Sequence, residues 1–396
     1  MAEVHLKPGR EKSVLKHHPW IFSGAIASLS GKVEPGETVE VISSDGDWLA
    51  RGAYSHNSQI AIRIWTWNTN EIIDPSFLYT RLSQSIASRQ HLYDSSASNA
   101  IRLVHGESDG LPGLVIDQYA DVAVMQYLSA GAEYWMGDIN RLLPEIADIR
   151  YLFERSDADV RKLEGLELRI GPISQNAVPD VVTIREHGLN YRVNLGGGQK
   201  TGFYLDQRIN RMEVRSFVED RDVLDCFCYT GGFSLNAWAG KARTILAIDE
   251  SEEALGLVGY NKQLNAVSED RLETRQGDVF RALREFRDRH SSFDTIILDP
   301  PKFAPTVSQV ERAARGYKDI NLLAMKLLRK HGTLFTFSCS GGVSMELFEK
   351  IIAGAALDSH EDFQIIGYMH QAADHPVAVN FPEGAYLKGL ILRRVT

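Results

Sequence analysis

Asp222-Val-Leu-Asp-Cys-Phe-Cys-Tyr-Thr-Gly-Gly-Phe-Ser234 decides how this chain folds. A short apolar strand candidate, 222–225, runs into a turn with paired glycines and then into a helical pattern. Glycine lets the backbone approach a ligand closely, and a helix start offers free N–H groups. The segment lacks the Gly-x-Gly-x-x-Gly spacing of dinucleotide-binding proteins, so a nicotinamide or flavin dinucleotide is not expected. From about residue 196 onward the same rhythm repeats. Strand candidates fall at 244–248, 272–274, 295–298, 332–337, 363–366 and 387–392, with amphipathic helical spacing between them. That alternation predicts an α/β, Rossmann-like domain with a doubly wound, mostly parallel sheet. Ligands of such sheets sit at the carboxyl ends of strands, so the residues just after each strand matter most.

Those residues form an acidic series. Asp225, Tyr229, Thr230 and Gly231 belong to the first strand end. Asp249 closes the second, placed to accept hydrogen bonds from two ribose hydroxyls, and Asp278 follows the third, placed beside an adenine amino group. An aspartate after a strand is also an ordinary helix cap. Three in order, without a phosphate-binding cation among them, suit a cofactor that lacks phosphates and carries a positive sulfonium, S-adenosylmethionine.

The fourth strand enters Asp299-Pro-Pro-Lys-Phe303. Adjacent prolines stiffen the turn and donate no backbone hydrogen bond, so Asp299 and nearby carbonyls can face the edge of a base. The fifth strand ends in Thr336-Phe-Ser-Cys-Ser-Gly-Gly342. Carbon C5 of cytosine is a poor nucleophile until a thiolate adds at C6, so Cys339 is the candidate nucleophile. Asp299 would then supply or stabilise the proton at N3. Cys226 and Cys228, alternating along the end of the first strand, read as packing residues.

Composition sets the limits. With 396 residues the chain exceeds one ordinary core, and 44% hydrophobic with 24% charged residues is globular composition. Three cysteines cannot make a disulfide framework, and no second Cys or His pair completes a zinc site, so no metal is expected. No apolar run approaches the roughly 20 residues of a membrane span, and Met1–Arg10 lacks a signal-peptide core. The expected location is cytoplasmic, without membrane association. A net charge of −9 argues against bulk electrostatic coating of nucleic acid but permits local basic patches.

Residues 1–75 read as a β-rich unit, with strand patterns at 38–42 and 60–65 and turns at Pro35-Gly36 and Asp45-Gly46. Through Gly9-Arg-Glu-Lys12, His18-Pro-Trp-Ile-Phe-Ser-Gly24 and Arg51-Gly-Ala-Tyr54 it resembles a PUA domain, a small RNA-binding β-barrel. Lys7, Arg10 and Lys12 beside Trp20 suit phosphate contact plus stacking. Residues 76–100 read as a helical linker, and 101–195 as an α/β middle domain with one helix near 133–147. The methyltransferase-type domain then spans 196–396.

The ordered motifs Arg185-Glu-His-Gly188, Gln199-Lys-Thr-Gly-Phe-Tyr-Leu-Asp-Gln-Arg208, Tyr229-Thr-Gly-Gly232, Asp299-Pro-Pro-Lys302, Arg315-Gly-Tyr-Lys-Asp-Ile-Asn321 and Phe337-Ser-Cys-Ser340 together resemble the bacterial ribosomal RNA large subunit methyltransferase I family. The resemblance covers the whole chain. It implies methylation of a cytosine C5 in 23S ribosomal RNA, with S-adenosylmethionine held by Phe203, Gln207 and Arg208 as well as the acidic series. Cys339 would be the nucleophile, and Lys302 and Lys318 would join the RNA contacts. Pro301 stands where many RNA cytosine-C5 methyltransferases carry a second, product-releasing cysteine. By analogy with uracil-C5 enzymes, Glu383 becomes the expected release base, with Asp374 and His375 behind it.

Three other readings compete. Methylation of guanine N7 or an exocyclic amine would leave Cys339 without a task. Uracil C5 fits the cysteine equally well. A non-catalytic RNA-binding protein would not need the acidic series. The sequence does not choose between a monomer and a homodimer.

Overall fold

The computed structural model describes residues 1–174, 177–198, 201–303 and 310–395. Gln199 and Lys200, from one of the quoted motifs, lie outside them. The chain forms two compact units. The first comprises Met1–Ile184, Val193–Leu205 and Ala373–Gly384; the second comprises Arg185–Arg192, Asp206–Ala372 and Ala385–Thr396.

The first unit opens with β1 (Glu3–Leu6), α1 (Lys12–Leu15), β2 (Trp20–Phe22), β3 (Ile26–Leu29), β4 (Thr38–Ile42), β5 (Trp48–Tyr54) and β6 (Ile60–Thr66). They form one sheet in the order β2-β6-β5-β4-β1-β3. Alternation on β4 turns Val39 and Val41 into a core with Val4, Leu6, Ile21, Ile62 and Ile64. Helix α2 (Pro75–Ala87) starts at Asp74, whose side chain accepts the Phe77 N–H at 2.9 Å, with proline at the first turn.

A second sheet follows, β11-β10-β9-β8-β7, from β7 (Ala100–His105), β8 (Leu114–Tyr119), β9 (Val122–Tyr127), β10 (Tyr151–Ser156) and β11 (Arg169–Pro172). The helix expected near 133–147 is two helices, α3 (Ala130–Tyr134) and α4 (Met136–Ile146), which meet at Trp135 where the backbone leaves helical geometry. A one-turn helix, α5 (Val160–Leu163), joins β10 to β11. The hairpin of β12 (Val181–Glu186) and β13 (Leu189–Asn194) turns at His187 and Gly188, with φ of 48° and 82°. Two left-handed residues are what a two-residue hairpin loop demands.

The second unit holds α6 (Arg208–Val214), β14 (Asp222–Cys226), α7 (Gly232–Ala239), β15 (Thr244–Asp249), α8 (Glu252–Leu264), β16 (Leu272–Gln276), α9 (Val279–Asp288) and β17 (Phe293–Leu298). It continues with α10 (Val310–Leu327), β18 (Leu328–Ser338), α11 (Met345–Ser359), β19 (Phe363–His370) and β20 (Lys388–Arg394). The sheet order is β16-β15-β14-β17-β18-β20-β19. Strands β14 to β18 pair in parallel, and β20 lies antiparallel between β18 and β19. Helices cover the sheet, so strands such as Thr295–Leu298 are buried throughout, as parallel strands are. Ile296, Ile297 and Leu298 are each fully buried, worth roughly 1.5–3 kcal/mol apiece. On one face Leu298, Leu334 and Leu390 pack with Tyr317, Ile320, Phe348 and Ile352 of α10 and α11.

Because β20 is reversed, its first residue, Lys388, pairs with the last residue of β18, Ser338. The start of β20 therefore joins the strand ends at which ligands of such sheets bind. Gly389 makes this possible. A Cβ there would lie 2.6 Å from the Phe337 ring and 3.0 Å from Met369 Cβ.

Candidate active site at the strand ends

Sheet order places the candidate residues of the second unit in a row. Asp278 follows β16, Asp249 ends β15, Asp225 lies near the end of β14, Asp299 follows β17 and Cys339 follows β18. Chain order alone would not give this sequence of neighbours.

Strand β14 stops at Cys226 because Phe227 takes φ 62°, so Cys228 lies in the loop rather than alternating along the strand. Both of these cysteines are buried. Tyr229 (φ 49°) and Gly231 (φ 82°) are also left-handed. For a non-glycine residue that conformation costs of order 1–2 kcal/mol, and such strain clusters at functional sites. Hydrogen bonds hold it in place. Cys228 N–H donates to Ile248 O at 3.0 Å, Gly231 N–H to Cys228 O at 2.8 Å, and Tyr229 N–H to Asp249 Oδ2 at 2.9 Å. Asp249 Oδ1 accepts the Ser251 N–H at 2.9 Å. Asp249 is thus fixed, with one protein donor on each oxygen and lone pairs to spare.

Asp225 is fully buried. Its Oδ2 accepts the Ser234 hydroxyl at 2.5 Å, while its Oδ1 meets no donor. Burial, reinforced by the charges of Asp299 and Asp249, pushes its carboxyl up to about 7. Thr230 Oγ1 nearby in the chain is also buried without a partner. A buried acceptor repelled by two carboxylates is matched by a ligand bringing a positive charge and N–H donors. An ammonium and a sulfonium, with a ribose diol for Asp249, meet that requirement; a phosphate does not. Asp278 is exposed and caps α9, accepting the Arg281 N–H at 2.7 Å through Oδ1.

Cys339, partly exposed, turns its Sγ to within 4.0 Å of the Pro300 carbonyl, so the thiol adjoins the Asp-Pro-Pro turn. Ser338 and Ser340 on either side are fully buried. The Tyr317 hydroxyl lies 3.1 Å from Ser340 Oγ, and its ring packs on Phe303 at 4.7 Å between centroids. Lys388 donates to the Ser340 carbonyl at 2.8 Å. Sequence reading gave no role to Ser234, Tyr317 or Lys388. Tyr317 stood in a quoted motif and Lys388 in a strand candidate, but the place of its amine at Ser340 became visible only through strand pairing.

Among the RNA candidates of this unit, Lys302 is exposed and Lys318 pairs with Asp358 at 2.8 Å. Gln207 and Arg208 are buried; Gln207 Oε1 accepts from Asn210 at 2.6 Å, and Arg208 Nε lies 3.9 Å from Glu186.

Phe203 and Glu383 belong to the first unit. Phe203 is buried, its backbone N–H and carbonyl both bonded to the Tyr119 hydroxyl at 3.2 Å. Glu383 lies 3.3 Å from His18 Nε2. Lys7, Arg10 and Lys12 are exposed, and Lys7 donates to Gly24 O at 2.9 Å. Trp20 is half-buried, donating to Glu107 at 2.8 Å with its ring edge-on to Phe381 at 4.8 Å. Among the described residues no cluster of three or more His, Cys, Asp or Glu could hold a metal, and no helix is long and apolar enough to cross a membrane.

The chain is similar to known proteins in sequence and in fold. A PUA-like domain family matches residues 4–67, and an S-adenosylmethionine-dependent methyltransferase family matches residues 173–357. A ribosomal RNA large subunit methyltransferase I of Cronobacter sakazakii is 48% identical over 388 residues, covering 97% of both chains. Its Escherichia coli counterpart is 48% identical over 392 residues, covering 98% of both. Among solved structures, a Streptococcus mutans chain assigned as a SAM-dependent methyltransferase superposes with TM-score 0.84 over 99% of this chain and 100% of its own, at 19% identity. A methyltransferase complexed with SAH gives TM-score 0.87 at 20% identity, covering 99% of this chain and 100% of its own.

Proposed function

The chain belongs to the ribosomal RNA large subunit methyltransferase I family, and on that premise we propose that it methylates C5 of a cytosine in 23S ribosomal RNA through a covalent adduct on Cys339. The observation that carries the reading is the place of Cys339. Of three cysteines it alone is not buried, and it stands at a strand end beside the Asp299-Pro300-Pro301 turn.

The strand-end acids of the S-adenosylmethionine-dependent methyltransferase domain would hold the cofactor. Asp225 would take the ammonium, Asp249 the ribose hydroxyls and the 229–231 backbone the amino-acid carboxylate, with Asp278, Phe203, Gln207 and Arg208 completing the set. When bound, S-adenosylmethionine supplies an electrophilic methyl group for C5.

The chain's own residues do the rest. Cys339 Sγ, as thiolate, bonds to C6 of the cytosine, and the electron pair displaced from C5=C6 makes C5 nucleophilic. Asp299 holds the N3 edge and supplies its proton as charge builds. After methylation Glu383, the proposed base, removes the C5 proton; the C5=C6 bond reforms and the C6–S bond breaks. Lys7, Arg10, Lys12, Trp20, Lys302 and Lys318 would contact the RNA, consistent with the exposure of Lys7, Arg10, Lys12 and Lys302.

The test is a map of 5-methylcytosine across ribosomal RNA from cells lacking the gene, complemented with wild type, Cys339→Ala or Cys339→Ser. Restoration by wild type and by neither variant is expected. Full methylation by Cys339→Ser would instead select a nitrogen target, which needs no nucleophilic sulfur.

A further inference from the structure

We propose that Lys388 is the positioning residue for Cys339, fixing the turn that presents the thiol and lending its positive charge to the thiolate. The inference rests on the covalent role of Cys339 proposed above, and three observations carry it.

The first is register. Antiparallel pairing sets Lys388 directly opposite Ser338, and residues directly opposite project to the same sheet face. The Lys388 side chain therefore rises beside the residue that precedes Cys339. The second is the bond made there. Lys388 Nζ donates to the Ser340 carbonyl at 2.8 Å, gripping the residue after Cys339. The turn that carries the nucleophile is thus held at Ser340 by an amine that has donors beyond the one this bond uses.

The third is burial. Lys388 is only 7% exposed, yet no carboxylate makes an ion pair with it among the described residues. Buried lysines ordinarily pair with one. The titratable groups around it are few. Cys339 follows β18, Lys302 and Asp299 stand in the turn after β17, Tyr317 reaches Ser340 from α10, and His370 on β19 pairs with Lys388 from the other side. Desolvation lowers the Lys388 amine to about 8; Lys302 pushes in the same direction, while a Cys339 thiolate opposes them. At pH 7 an amine at that value is still mostly an ammonium, a positive charge that favours the thiolate form of Cys339.

The step balances with water alone. The Cys339 S–H bond breaks, its proton passes to water, and the thiolate stands in the field of the Lys388 ammonium. When the C6–S bond breaks at the end of turnover, sulfur leaves as the thiolate that the same charge stabilises.

Alkylation of the full-length protein by iodoacetamide reads the thiol directly, because Cys226 and Cys228 are buried. Rate against pH is measured for wild type, Lys388→Gln and Lys388→Arg. Glutamine can still donate to the Ser340 carbonyl but carries no charge, whereas arginine keeps the charge. The expected wild-type profile has its midpoint below the roughly 8.5 of a free thiol. Lys388→Gln should raise that midpoint by a unit or more, slowing alkylation at pH 7 about tenfold, and Lys388→Arg should keep it low. A wild-type midpoint at or above the free-thiol value overturns the proposal even if every variant misfolds. So does an unchanged midpoint in folded Lys388→Gln. None of these readouts involves RNA, so loss of the Lys388 effect and loss of the cytosine-C5 reading are separately visible.

Discussion

Replacing Asp225 with asparagine removes one charge from a fully buried site and leaves its shape intact. The folded carboxyl stands at about 7 against an ordinary 3.8, chiefly through burial. At about 1.4 kcal/mol per pH unit, ionising it inside the folded chain costs on the order of 4 kcal/mol. The folded value lies above the unfolded one, so ionisation subtracts stability. The loss begins above pH 3.8 and is complete once pH has passed about 7. Between about pH 5.5 and 8.5 the cofactor-free wild type should therefore lose about 2 kcal/mol from this group. Asparagine carries no such dependence. Its amide leaves an N–H group where Oδ1 lacked a donor, at a constant cost of about 1–3 kcal/mol. That constant moves the whole curve and leaves its slope alone. Urea unfolding of both proteins at several pH values should show the variant gaining on wild type by about 2 kcal/mol across the interval. S-adenosylmethionine affinity should move the other way, with Kd rising about 10- to 100-fold in the variant as a charge-assisted hydrogen bond is lost. A stability difference that stays flat with pH, together with wild-type affinity, refutes the assignment of Asp225 to the cofactor's ammonium.

Other outcomes follow from the same geometry. Glu383→Gln should accumulate a denaturation-resistant RNA adduct, visible as a gel shift that is absent when Cys339→Ala is added; normal turnover removes Glu383 as the release base. Gly389→Ala should cost about 1–3 kcal/mol, because its Cβ would stand 2.6 Å from the Phe337 ring. An unchanged urea midpoint would show that β18 and β19 yield more easily than the close contact implies.

The strands of the second unit were legible because their signal is local. Apolar runs such as Thr295-Ile-Ile-Leu298, each followed by a helical pattern, carry their own period whatever lies beside them. The strand-end aspartates were legible for a related reason. In a wound sheet the residue after each strand faces the ligand edge, so chain position alone nominates it. The helix near 133–147 was less legible, because helical spacing continues across Trp135 and the backbone leaves helical geometry at that one residue.

What the sequence determined by itself was the inventory: a wound sheet, an acid after each early strand, a stiff Asp299 turn and a cysteine at the fifth strand end. Tertiary structure decided which of these are neighbours and what environment each one feels. Asp225 differs from Asp278 because one is fully buried and feels the charges of two other carboxylates while the other caps a helix in solvent. Lys388 lies 49 residues beyond Cys339, and only the reversal of β20 brings its amine to the carbonyl after the thiol. Periodicity reports the face on which a residue sits. Strand order, register and burial depend on contacts between distant segments, and these set the charge each group carries.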